Sequence, residues 1–143
     1  MARPQVLPDD LACVQAAGIT TIISLLEPAE AATVGLASQA DHCAALGFTF
    51  LNHPIRDMHL PDPAAFAIFA ADIATRLRNG DHIALHCYAS IGRSGMLSCT
   101  VLGQFGHDAA SAITHVSTKR GTPVPDTAEQ TAFIHSIIAG SRA

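Results

Sequence analysis

Several features that mark other protein classes are missing or sparse in this chain. Charged residues make up 14% of its 143 positions, the net charge is −4, and lysines and arginines form no run. A nucleic-acid or anionic-membrane surface therefore has no electrostatic footing. The four cysteines, Cys13, Cys43, Cys87 and Cys99, form no Cys-x-x-Cys pair, which argues against both a zinc site and a disulfide framework. Reduced thiols are the expectation. No stretch approaches the apolar length that spans a bilayer, and residues 1–11 lack the apolar core of a signal peptide, so a cytoplasmic protein is expected. Internal repeats and low-complexity segments are also missing. What is abundant is hydrophobic side chain, at 49% of the composition. At this length, that is enough to bury the core of one domain, residues 1–143.

The chemistry concentrates in residues 86–95: His86, Cys87, Tyr88, Ala89, Ser90, Ile91, Gly92, Arg93, Ser94 and Gly95. An apolar run, Ile83, Ala84 and Leu85, reads as a buried strand before it, and residues 96–102 read as a buried helix after it. A strand, a glycine-containing loop and a helix start make an anion site, because backbone N–H groups at a helix N-terminus lack intrahelical acceptors and the helix dipole favours negative charge there. Arg93 adds a fork of donors. Five residues separate Cys87 from Arg93, and a loop of that length can curl so that its amides and the guanidinium ring an oxyanion with the sulfur beneath. The same positive field favours thiolate, the nucleophilic form.

This His-Cys-x5-Arg-Ser-Gly stretch resembles the signature of the cysteine-dependent protein tyrosine and dual-specificity phosphatases. Tyr88, the Ile91-Gly92 pair and the upstream His53-Pro54-Ile55-x-Asp57 look most like the compact branch that includes the cyclin-dependent-kinase-associated phosphatase. The likeness runs from about residue 10 to residue 138. It departs at Ser90, where the family usually has glycine and where the loop can need positive φ. Serine takes that conformation at a steric cost, and tolerance is expected because Cys87, Arg93 and Ser94 all remain.

The resemblance implies a general acid on a loop before the signature, often an aspartate with proline four residues on, and Asp57 with Pro61 fits. Asp62 competes, but it precedes Pro63 and an apolar helix, which makes it an N-cap. His86 is implied to support the loop through backbone hydrogen bonds, and Gln130 to orient water in the second step. Residues 88–92, which are Tyr88, Ala89, Ser90, Ile91 and Gly92, form the phosphate loop proper.

Along the chain, helices are expected near residues 9–17, 38–46, 64–78, 109–119 and from 128 onward, with residues 28–37 ambiguous. Strands are expected at 19–26, 48–55 and 82–86. Asp126-Thr127-Ala128-Glu129 has the form of a capping box for the last helix. The alternation implies an α/β fold, a single domain with a mostly parallel central sheet covered by helices on both faces, as in phosphotyrosine protein phosphatases.

The expected activity is metal-independent phosphomonoester hydrolysis without a cofactor. Cys87 attacks phosphorus, Arg93 and loop amides stabilise the equatorial oxygens, and Asp57 protonates the leaving oxygen. Water then hydrolyses phosphocysteine, with Ser94 stabilising the departing thiolate. Phosphotyrosine proteins lead as substrates and phosphoserine or phosphothreonine proteins follow. The alternatives are a phospho-binding protein with weak or no turnover and a phosphatase of a small-molecule or lipid phosphate. Residues 88–91 carry no lysine, which disfavours the lipid. Arsenate reduction and sulfur transfer also use cysteine near oxyanions, but neither accounts for Asp57.

Overall fold

The structure is a computed structural model and describes residues 1–141. Its backbone contacts divide it into two compact units. The first holds Met1–Ile55 and Gly80–Ser90, the second Arg56–Asn79 and the residues from Ile91 onward.

The first unit contains α1 (Leu7–Ala16), β1 (Thr21–Ser24), α2 (Pro28–Thr33), α3 (Gln39–Ala45), β2 (Thr49–Asn52) and β3 (Ile83–His86). Its sheet has the order β2-β1-β3 and is parallel throughout. Thr21 aligns with both Thr49 and Ile83, and Ser24 with both Asn52 and His86. Every β1 residue is buried, whereas β2 and most of β3 are partly open. Position in the sheet explains this: β1 is central and the others are edges. β3 is therefore less buried than its apolar sequence suggests.

Every strand is also shorter than expected, the last by a single residue and the first two by four. Leu25 and Leu26 after β1, and Ile55 after β2, are buried at 0%, 1% and 3% exposure. Their apolar character reports burial, while the backbone has left the regular ladder. Leu25 N–H still donates to the His86 carbonyl at 3.0 Å, and Ile55 N–H to the Leu25 carbonyl at 3.1 Å. The alanine-rich stretch that was ambiguous in sequence contains the short α2. Gly47, at φ +82°, turns the chain from the end of α3 towards β2, a conformation that residues with a Cβ resist.

The second unit is helical: α4 (Pro63–Arg78), α5 (Gly92–Gly103), α6 (Ala109–Arg120) and α7 (Ala128–Gly140). α5 packs against the other three and is buried nearly all round, from Gly92 through Leu97 and again at Cys99, Thr100 and Val101. A helix with no polar stripe is the expected centre of such a bundle. Phe66 of α4 meets Phe133 of α7 edge to face, with centroids 5.5 Å apart.

Side-chain caps start three of these helices. Asp62 accepts from Ala65 N–H at 2.8 Å, with Pro63 in the first helical turn as expected, and Asp108 accepts from Ser111 N–H at 2.7 Å. The capping box of α7 lies one residue later than its sequence suggests: Thr127 is the N-cap and Gln130, not Glu129, returns the hydrogen bond. A Thr-x-x-Gln box and an Asp-x-x-Glu box overlap here, and the buried partner wins. Gln130 is 1% exposed while Glu129 faces solvent.

Candidate active site

Cys87 follows β3 directly, at the carboxyl end of a parallel strand, and is 2% exposed. His86, the last residue of the strand, is fully buried. Its Nδ1 lies 3.2 Å from the Cys87 carbonyl oxygen. On the other side of the ring, Nε2 lies 3.0 Å from Gln39 Nε2 and 3.1 Å from Gln39 Oε1. Burial pushes the His86 pKa down to about 4, the hydrogen bond to the Cys87 carbonyl opposes that shift, and the positive N-terminus and Arg3 add to it. The ring is therefore neutral near pH 7.

The loop proper leaves β3 with Tyr88 and Ala89 at the surface and Ser90 buried. Arg3 clasps Tyr88: its Nη1 donates to the Tyr88 carbonyl at 2.8 Å, and its guanidinium lies 4.1 Å from the ring centroid. Ser90 adopts φ +58°, the left-handed conformation anticipated for its position, at a cost of about 1 kcal/mol relative to glycine.

In the second unit, Ile91 stands at the N-cap of α5 and provides no side-chain cap, in contrast to Asp62, Asp108 and Thr127 on the neighbouring helices. The first α5 backbone bond runs from Gly95 N–H to the Ile91 carbonyl, so the N–H groups of Gly92, Arg93 and Ser94 precede the ladder. These are the donors that an anion at a helix start would use. Arg93 is 2% exposed, and its Nη2 lies 3.1 Å from Asp57 Oδ1. A buried guanidinium needs an anion, and Asp57 provides one while remaining 62% exposed itself. Asp57 sits in a turn closed by His59 N–H to the Arg56 carbonyl at 3.1 Å, where Met58 takes φ +60°. Arg56, Met58 and His59 are exposed beside it. The structure thus brings Asp57, and not Asp62, to Arg93.

Ser94 is 4% exposed, and its hydroxyl has no hydrogen-bond partner among the described residues. Gln130 Oε1 accepts from Asp126 N–H at 3.0 Å and from Thr127 N–H at 3.3 Å. Its amide atoms come so near Gly92 that a Cβ there would lie 3.0 Å from them, and the same Cβ would collide with the Asp126 carboxylate. A side chain at residue 92 would therefore have to displace the exposed Asp126 carboxylate and press on the buried Gln130 amide, which favours glycine there.

Three participants escaped the sequence. Gln39 is 47 positions from His86, and only the sheet and α3 bring them together. Arg3 lies 85 positions from Tyr88. Asp126 left a signal, but it was read as the capping residue that Thr127 proves to be. Of the other thiols, Cys13 is exposed, whereas Cys43 and Cys99 are fully buried, and desolvation pushes their pKa values up to about 11 and about 12.

Residues 1–106 match the family described as Tc-R-P, the DSP-PTPase phosphatase of polymorphic toxin systems. Cyclin-dependent kinase inhibitor 3 of Mus musculus is 30% identical over 92 residues, which are 62% of this chain and 43% of that protein, so the match spans less than half of the relative. Kinase associated phosphatase, solved with serine in place of its catalytic-site cysteine, superposes with a TM-score of 0.90 at 22% identity, over 99% of this chain and 85% of that one. Tk-PTP in its active form gives a TM-score of 0.80 at 25% identity, over 97% and 88%. Human DUSP28 gives 0.73 at 18%, over 99% and 90%. The fold is accordingly the α/β fold of protein tyrosine phosphatases, the class expected from the sequence.

Proposed function

The chain belongs to the family of DSP-PTPase phosphatases of polymorphic toxin systems, and on that premise we propose that it is a phosphomonoester hydrolase working through a phosphocysteine intermediate, with residues 1–143 as one phosphatase domain. Cys87 is the nucleophile. Its thiolate attacks phosphorus in line with the leaving oxygen, while Arg93 and the loop amides of residues 88–93 stabilise the equatorial oxygens. Asp57 donates a proton to the leaving oxygen, then accepts one from the water that hydrolyses phosphocysteine. Ser94 stabilises the departing thiolate with its uncommitted hydroxyl. Gln130, its oxygen already held by two backbone N–H groups, has amide hydrogens left to orient that water. His86 braces the loop from behind. The reaction uses no metal or cofactor.

The observation that carries this reading is the 3.1 Å approach of Asp57 to Arg93. It puts a carboxyl group, able to hold and release a proton, beside the buried guanidinium that a phosphoryl group would contact. A phosphorylated protein is the proposed substrate, phosphotyrosine first and phosphoserine or phosphothreonine second, in the cytoplasm. Nucleic acid and membrane are not partners. No described helix is long and apolar enough to cross a membrane.

One observation favours a second reading, phosphate binding with little turnover: a serine at φ +58° inside the loop. Phosphate release from an aryl phosphate, in excess chelator and reductant, separates the two. Turnover that survives chelator and vanishes in Cys87→Ser supports the hydrolase. Phosphopeptide binding without turnover supports the second reading.

A further inference from the structure

His86 has two polar faces, and both are occupied. The Cys87 carbonyl on the Nδ1 side can only accept a hydrogen bond, so Nδ1 must carry the proton. A neutral imidazole with Nδ1–H has a lone pair at Nε2, which needs a donor. Gln39 brings both amide atoms to Nε2, its nitrogen at 3.0 Å and its oxygen at 3.1 Å, and of the two only the nitrogen has a hydrogen to give that lone pair. Gln39 is 2% exposed and His86 is fully buried, so water does not substitute for either partner. We infer that Gln39 is a positioning residue: its side-chain amide fixes His86 in the tautomer whose Nδ1–H is aimed at the Cys87 carbonyl, and so sets the first peptide of the phosphate loop.

The chemistry of the amide makes glutamine suited to the place. A carboxylate there would offer only acceptors, and the proton would move to Nε2 or a second one would be taken up. In the first case the Nδ1 lone pair would face the carbonyl oxygen and repel it. In the second a buried imidazolium would stand behind the nucleophile. A leucine would leave Nε2 without a donor. The N-terminal ammonium and Arg3 both act on His86, and both cations disfavour a second proton on the ring. Nothing in this network needs charge, and the loop is tied to α3 by neutral hydrogen bonds alone. The consequence for catalysis rests on the function proposed above, whereas the tautomer does not.

Imidazole 15N NMR of His86 in the full chain is the test, on the unmodified protein and on Gln39→Glu and Gln39→Leu. At neutral pH the unmodified protein should show Nδ1 protonated, Nε2 unprotonated, and a scalar coupling from Gln39 Nε2 to His86 Nε2 across the hydrogen bond. Gln39→Glu should move the proton to Nε2 or add a second one, and Gln39→Leu should abolish the strong preference for Nδ1–H. Both should lower kcat roughly tenfold, as losing one buried hydrogen bond would, with KM nearly unchanged. An Nε2–H tautomer or an imidazolium in the unmodified protein overturns the inference, as does a folded Gln39→Glu with an unchanged His86 spectrum. Should the variants fail to fold, the spectrum and coupling of the unmodified protein decide alone. An unmodified protein with the expected spectrum but no turnover would sink the proposed hydrolase and leave the Gln39 assignment standing.

Discussion

Behind Cys87 stands a neutral chain of contacts, from the Cys87 carbonyl to His86 to Gln39, every member of it buried. Arg93, six residues later, is met by charge instead: the Asp57 carboxylate, most of whose surface faces solvent. The two ends of one loop are thus supported differently. A neutral buried brace is insensitive to salt and resists displacement, as a scaffold for a nucleophile should. An exposed carboxylate on a buried guanidinium is screened by salt and free to leave when phosphate arrives, as the general acid proposed above would have to. Rigidity belongs to the cysteine and exchange to the arginine.

Substitutions at the two ends should break this contrast unequally. Cys87→Ser should lower turnover by at least about a thousandfold without loss of fold, since it removes the bond-forming atom; circular dichroism alongside phosphate release checks both halves. Asp57→Asn should cost about a hundredfold or more on phenyl phosphate and less on p-nitrophenyl phosphate, whose better leaving group needs less protonation. Equal losses on the two substrates would show that Asp57 serves only to hold Arg93.

The neutral end carries its own pH signature. His86 binds protons more weakly folded, at about 4, than unfolded, near 6.5, so between these values the unfolded chain takes up more protons. Stability is then fully present above about pH 6.5 and falls as pH drops towards 4, by up to about 3 kcal/mol from this one group. Urea denaturation from pH 7 to pH 4 measures it, and His86→Gln should flatten the profile over that window.

The smallest effect sharpens the boundary of the charged end. Thr127→Ala removes the α7 cap and should cost about 1 kcal/mol in urea denaturation. Because Gln130 is anchored through the same box, turnover should fall further than stability alone explains. A stability loss with unchanged kcat would place Gln130 outside the chemistry.

How much of this was legible beforehand depended on sequence separation. Cys87, Arg93 and the helix after them occupy one continuous stretch, so their spacing carried the fold around them. Asp62, Asp108 and Gly121 announced their helix ends because capping is local. Strand lengths were overestimated: burial of Leu25, Leu26 and Ile55 looks in sequence like continued pairing. The register of the α7 box was ambiguous because two polar pairs overlap and only burial chooses between them. Gln39 could not be read at all. A glutamine at the start of a helix is ordinarily a solvated residue, and only the parallel crossover from β1 through α3 to β2 delivers it to His86.

The most direct measurement is mass spectrometry of the protein quenched in acid during turnover of an aryl phosphate, followed by peptide mapping. The account predicts phosphate on Cys87, accumulating further in Gln130→Ala, where the second step is slowed. Steady turnover with phosphate on no residue, or on a residue other than Cys87, would contradict it.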